Sequence, residues 1–156
     1  MFCNQCEQTA HGTGCAMSPG VCGKNEDVQS LQETLLYGLK GMASYAHHAR
    51  RLGKTDENVN AFIEEALFAT VTNVNFDMDS LFEMVLECGK QNLRTMELLD
   101  QGHVEAYGAP APVEVCEGTK AGPGILVTGH DMVDLDNLLK QCEGTDINVY
   151  THGEML

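Results

Sequence analysis

Tryptophan is absent from this chain of 156 residues, and aromatic residues make up only 6% of it. A packed core must therefore rest on Leu, Val, Ile, Met and Ala, and a hydrophobic content of 43% supplies enough of them for one ordinary domain or two small ones. Basic residues are scarce: nine Lys and Arg stand against 23 Asp and Glu, for a formal net charge of −14. Such a surface repels phosphate backbones and argues against nucleic-acid binding. It serves solubility, or it offers a docking face to a basic redox partner protein. No apolar run approaches the ~18–20 residues that span a bilayer, so no membrane role is expected. Met1-Phe2-Cys3-Asn4-Gln5-Cys6 lacks the basic and apolar regions of a signal peptide. The expected setting is cytoplasmic, where thiols stay reduced and clustered cysteines point to metal before disulfides. The chain has neither a Gly-x-x-x-x-Gly-Lys loop nor a Gly-x-Gly-x-x-Gly turn, so a nucleotide site has no support, and it has no internal repeat.

What is present is concentrated at the front. Four of the seven cysteines fall within the first 22 residues, spaced Cys3-x2-Cys6-x8-Cys15-x6-Cys22. A C-x-x-C pair presents two sulfurs from one turn, and the longer gaps let the chain travel round a compact core and return. Thiolates suit soft iron and zinc alike. Zinc sites usually use two tight C-x-x-C knuckles, and here only the first pair is tight, so an iron–sulfur cluster is favoured over zinc and both over a disulfide framework. Gly12, Gly14, Gly20 and Gly23 give the loop backbone freedom, and their N–H groups are expected to approach the sulfurs. His11 is a spare donor and Met17 a weak one.

From Asn25 the pattern becomes helical. Val28, Leu31, Leu35, Leu39, Met42, Ala46 and Ala49 fall on one face. Asn25 suits the N-cap, Arg50 and Arg51 the last turn, and Gly53 the C′ position. A second helix is expected from about Asp56 to Asn73, burying Val59, Phe62, Ile63, Ala66 and Leu67. A third should start near Asp77, carry Leu81, Val85, Cys88, Met96 and Leu99 on its stripe, and stop at Gly102. The division is then a cluster loop at 1–24, a three-helix bundle at 25–102 and a Gly/Pro-punctuated linker at 103–123. The first β-α-β unit of an incomplete α/β domain follows at 124–156. The fold class is mixed: a Cys-rich N-terminal loop and a helical bundle, then the start of a parallel sheet.

In that last region Gly124-Ile125-Leu126-Val127-Thr128-Gly129 and Ile147-Asn148-Val149-Tyr150-Thr151 read as strands, with Asp131 capping a helix that ends near Gly144. Two strands and one helix cannot close a core. Another chain completes the sheet, or the sequence is a fragment of a longer protein; the fragment is favoured. Ligands in open α/β sheets bind beyond the carboxyl ends of the strands. Parallel neighbours lie about 4.8 Å apart, so Thr128-Gly129-His130-Asp131 and Thr151-His152-Gly153-Glu154 bring His130 and Glu154 to one edge. An imidazole beside a carboxylate suits iron and also proton delivery. The competing reading is that such residues only cap helices or bond to loops; His152 is the rival donor. Cys88 reads as core, Cys116 and Cys142 have no ligand partner nearby in sequence, His47 and His48 read as solvated, and His103 is expected just beyond its helix.

Met1-Phe2-Cys3-Asn4-Gln5-Cys6-Glu7-Gln8-Thr9, Gly14-Cys15 and Cys22-Gly23-Lys24 resemble the start of hybrid-cluster (prismane-type) proteins. Leu39-Lys40-Gly41, the stretch Gly124 to Asp131 and the stretch Val149 to Leu156 are also similar to that family, so the resemblance covers nearly the whole chain. It implies that Cys3, Cys6, Cys15 and Cys22 bind a 4Fe-4S cluster, or in some branches a 2Fe-2S cluster; the two longer gaps leave nuclearity open. It also implies that His130 and Glu154 are the histidine and first glutamate ligands of a hybrid iron–sulfur–oxygen cluster. The family reduces hydroxylamine to ammonia and water; nitric oxide reduction and protein S-nitrosylation have also been attributed to it. The other hybrid-cluster ligands belong to a C-terminal part that this sequence does not contain, and Cys88, Cys116 and Cys142 do not match them. A helical bundle of the longer members is also absent. The chain alone is therefore expected to bind the first cluster, to ligate the second only partly, and to be inactive. In the complete protein electrons would pass from the first cluster to the second, with Glu154 as a labile ligand. The alternatives are a non-enzymatic iron–sulfur electron-transfer module and a zinc-stapled interaction domain.

Overall fold

A computed structural model describes residues 3–9 and 14–155. The chain forms two compact units, Met1–Ala111 and Pro112–Leu156. In the first, a cysteine-bearing loop with one short 3-10 turn at Glu7–Thr9 leads into three helices: α1 (Glu26–Arg51), α2 (Glu57–Ala69) and α3 (Met78–Tyr107).

Each helix begins where a side chain satisfies the orphan N–H groups of its first turn. Asn25 accepts from the Val28 N–H at 2.8 Å, Asp56 from Asn58 at 2.9 Å, and Asp77 from Asp79 and Ser80. At the end of α1, Gly53 takes φ 77°, the left-handed geometry of a C′ residue. The core forms where α1 lies along α3 and α2 meets both, around Leu35, Leu39, Met42, Phe62, Ala66 and Cys88. The expected stripe of α1 and the core placement of Cys88 both hold.

Three expectations are displaced. α2 ends at Ala69, not Asn73: Thr70 caps it by donating its hydroxyl to the Leu67 carbonyl, and Asn73 turns the chain at φ 65°. The buried face of α3 runs through Leu81, Cys88, Thr95, Leu98 and Gly102, while Met96 is exposed. Steps of seven keep that seam aligned along two packed helices, and Thr95 is admitted because its hydroxyl donates to the Gln91 carbonyl at 2.8 Å. Nor does Gly102 stop α3, which continues to Tyr107 and so carries His103 within it. The glycine is buried because a Cβ there would stand 3.0 Å from Leu52 Cβ; close approach, not termination, selects it.

The second unit is a β-α-β element. Strand β1 (Gly124–Thr128) pairs in parallel with β2 (Asn148–His152), in a register that sets Thr128 opposite His152. Between them lies α4 (Met132–Cys142), capped by Asp131 as expected. No described residue of α4 is buried, and Leu126 is 70% exposed.

Leu35→Ala should cost about 2–5 kcal/mol of stability in a urea titration followed by far-UV circular dichroism, and Leu93→Ala, on the exposed side of α3, under about 0.5 kcal/mol. Equal losses at the two positions would place the core elsewhere.

Candidate metal centres

The loop that carries the first four cysteines is closed by its own backbone. Cys3 and Cys15 form an isolated antiparallel bridge, Cys3 N–H to the Cys15 carbonyl at 3.0 Å and the reverse at 2.7 Å. Residues directly opposite in such a pair send their side chains to the same face. A doubly hydrogen-bonded pair holds its Cβ atoms about 5.5 Å apart, beyond the ~3.5–4.5 Å of a disulfide, so the geometry presents two sulfurs side by side without joining them. No disulfide links any of the seven cysteines. Cys6 is half-buried and immediately precedes the 3-10 turn, and Cys22 is exposed in a second turn.

Electropositive groups gather around these sulfurs. The backbone N–H of Val21, and after it that of Met17, donates toward the Cys15 sulfur and holds its thiol below the ordinary cysteine value, against the opposing effect of desolvation. At Cys15 the two N–H donors are thus those of Val21 and Met17. Lys24 is 1% exposed, with its ammonium 3.1 Å from Gln5 Oε1, 3.1 Å from Gln29 Oε1 and 3.9 Å from Cys3 Sγ. Gln5 in turn donates to the Thr70 carbonyl at 2.7 Å and accepts from the Thr72 hydroxyl at 2.7 Å, tying the loop to the end of α2. Neither Lys24 nor Gln5 stood out in the sequence, since a lysine reads by default as a solvated charge. Their only signal was their position beside Cys22 and between Cys3 and Cys6.

No group of three or more His, Cys, Asp or Glu side chains among the described residues converges as one metal ion would require. A polynuclear core makes a different demand, because it bonds its thiolates to different irons and spaces them across its own width. Four thiolates, N–H donors aimed at one of them and a buried ammonium near another are a donor set that fits an anionic iron–sulfur core. His11 and Gly12 lie outside the described residues.

At the other candidate site, the parallel register carries past the strand ends. Gly129 (φ 137°) and Gly153 (φ 66°) turn the chain just after β1 and β2, in backbone conformations that favour glycine. The next residues, His130 and Glu154, meet through His130 Nε2 and Glu154 Oε2. Both side chains are open to solvent, at 78% and 76% exposure, so this is a surface pair whose Coulomb energy alone holds little together. His152 instead faces Thr128, with Nδ1 3.3 Å from its Oγ1, and Asp131 serves as the helix cap. Of the remaining soft donors, Cys88 is buried in the bundle core, where desolvation pushes its thiol above the ordinary value. Cys116 is exposed.

The model of the Prismane/CO dehydrogenase family matches residues 1–85 and 77–156, and the chain belongs to that family. It is 64% identical to the hydroxylamine reductase of Moorella thermoacetica over 156 residues, all of this chain and 36% of that protein. It is 54% identical to the hydroxylamine reductase of Thermotoga maritima over the same length, again 36% of that protein. With the hydroxylamine reductase of Methanosarcina mazei the match is 53% over 133 residues, 85% of this chain and 24% of the relative. The chain thus spans about a third of the length of the curated relatives that match it throughout. Among the described residues no helix is long and apolar enough to cross a membrane.

In the iron-free chain, the thiolate absorbance lost on Cys15→Ser should titrate below the ordinary cysteine value and that lost on Cys88→Ser above it. Because the folded value of Cys15 is the lower one, it favours the folded loop above the unfolded thiol's pKa, and that contribution fades as pH falls through the folded value. An ultraviolet titration in which Cys15 ionises at or above the pH of Cys88 would contradict this geometry.

Proposed function

We propose that this chain is the front part of an iron–sulfur oxidoreductase that reduces hydroxylamine to ammonia and water. In this reading Cys3, Cys6, Cys15 and Cys22 hold an electron-transfer cluster, 4Fe-4S by preference and 2Fe-2S as the alternative. His130 and Glu154 supply two ligands of a hybrid iron–sulfur–oxygen cluster, and the remaining part of the enzyme supplies the others. The observation that carries it is the 64% identity, over all 156 residues of the chain, to a protein named hydroxylamine reductase. That name favours hydroxylamine over nitric oxide as substrate.

When bound, the clusters supply electrons and Lewis acidity. The chain's own residues do the rest. The Cys3–Cys15 bridge preorganises two thiolates, and the N–H groups of Val21 and Met17 favour the anionic form of one of them. His130 and Glu154 are delivered to one edge by the strand register, and the contact between them must yield when a metal takes either atom, because metals bind deprotonated donors. A carboxylate on a solvent-exposed turn can leave and return at little conformational cost, which suits Glu154 to a labile position. Reducing one hydroxylamine to ammonia and water takes two electrons and two protons, and the protons must reach the edge that His130 and Glu154 share. The acidic surface, with a net charge of −14, favours a basic redox partner. A cytoplasmic setting agrees with this reading, since thiolate ligands stay available to metal where thiols are kept reduced.

Anaerobically purified chain should be brown, with iron and acid-labile sulfide in equal amounts. Serine at any of Cys3, Cys6, Cys15 or Cys22 should abolish both, while serine at Cys88, Cys116 or Cys142 should not. Colourless protein containing zinc would replace this reading with the interaction domain. In the full-length enzyme, Glu154→Ala or His130→Ala should lower hydroxylamine turnover at least about tenfold and leave the N-terminal cluster's spectrum intact. Unchanged turnover in both variants would instead make the front part an electron-transfer module and the pair structural.

A further inference from the structure

Lys24 is the largest fully buried side chain of the protein's described residues, and it carries a charge. A buried ammonium is costly unless it is paired. The contacts found for it among the described residues are two neutral amide oxygens, Gln5 Oε1 and Gln29 Oε1, and the Cys3 sulfur at 3.9 Å. Two carbonyl oxygens orient an ammonium but do not neutralise it. Of the three partners, only the sulfur can become an anion, and it does so when Cys3 binds metal.

The surroundings aim the charge. Gln29 sits in the first turn of α1 and has its amide held by Glu33 at 3.0 Å, so its oxygen is turned toward Lys24. Gln5 is fixed from its other side by Thr70 and Thr72. The two glutamines hold the ammonium within 3.9 Å of the Cys3 sulfur. The Lys24 carbonyl also accepts from Gly20 N–H at 2.7 Å, which fixes the backbone between Cys15 and Cys22 relative to the same side chain.

We propose that Lys24 is a positioning and charge-compensating residue for the cluster held by Cys3, raising its reduction potential by stabilising the more negative, reduced form. The inference rests on the reading of the cysteine loop as an iron–sulfur site. The step it acts on is the uptake of one electron by the oxidised cluster, with dithionite as donor in the laboratory. Net charge, hydrogen bonds to sulfur and limited solvent exposure are the levers that set such potentials, and Lys24 combines all three. Because the charge is buried, salt should screen it little.

The test is a redox titration of the cluster-loaded chain, read by electron paramagnetic resonance of the reduced state. At the wild-type midpoint, Lys24→Gln and Lys24→Met should lower the ratio of reduced to oxidised cluster at least about tenfold, about 59 mV for one electron. Lys24→Arg, which keeps the charge, should hold that ratio within about twofold of wild type. A merely structural lysine would leave the potential of every loaded variant unchanged, and that result overturns the proposal. Should the neutral variants fail to load, wild-type protein labelled with 15N-lysine decides the matter: a lysine nitrogen coupled to the reduced cluster's spin supports the proposal, and no such coupling overturns it. Wild-type chain that binds no iron overturns the cluster reading itself, an outcome distinct from a cluster indifferent to Lys24.

Discussion

Two backbone hydrogen bonds between Cys3 and Cys15 set the terms for the front of this protein. A loop rich in glycine and cysteine has little apolar material with which to offset the entropy of ordering it, and the bridge removes much of that freedom with a single pair of residues. It also sets the two cysteine side chains on one face. The remaining ties run outward to the helices: Gln5 to the end of α2, Lys24 to Gln29 at the start of α1. The loop is thus held as an attachment to the bundle, and the stability of its geometry is borrowed from the packing of α1 against α3.

The two units solve the problem of burial differently. In the first, three amphipathic helices close a core in which Leu35, Leu39, Met42 and Leu81 are almost wholly removed from water. In the second, β1, β2 and α4 satisfy the backbone hydrogen bonds of a parallel pair and leave side chains such as Leu126 and Leu139 open. A parallel pair with its crossover helix belongs to sheets covered on both faces, and relatives roughly three times as long contain this stretch. The register of the pair is nonetheless fully defined, and it is the register, not burial, that brings His130 and Glu154 together.

Much of this was legible in the residues themselves. Asn25 and Asp131 were readable as caps because a short polar side chain before an apolar period has one efficient use, and the helix starts expected near Asp56 and Asp77 fall on residues that cap in the same way. The meeting of His130 with Glu154 followed from the period of a parallel pair. Helix ends were harder. Gly102 looked like a terminator because glycine's freedom and its smallness leave the same mark in a sequence; only the position of Leu52 tells which is being used. Met96 looked like a stripe residue because apolar character was followed in steps of three and four, whereas the true seam advances by seven and admits Thr95. Lys24 was illegible for a different reason: its burial depends on the Cys3–Gln5 segment, some twenty residues before it, meeting Gln29 at the start of α1.

The two candidate centres also differ in how their charges are housed. His130 and Glu154 are exposed, so water can solvate either one when the other is engaged, and the pair can open and close at modest cost. Around Cys3 and Cys15 the donors are buried or built into the backbone and cannot relax away, which makes their electrostatic effect persistent rather than adjustable. A centre that only passes electrons is served by fixed surroundings that keep its geometry and potential constant from one oxidation state to the next. A centre that must admit a substrate is served by ligands that can move. The physical character of each site in this chain thus agrees with the roles proposed for it, and the contrast between a rigid cradle and a yielding pair is the same one that separates electron transfer from chemistry.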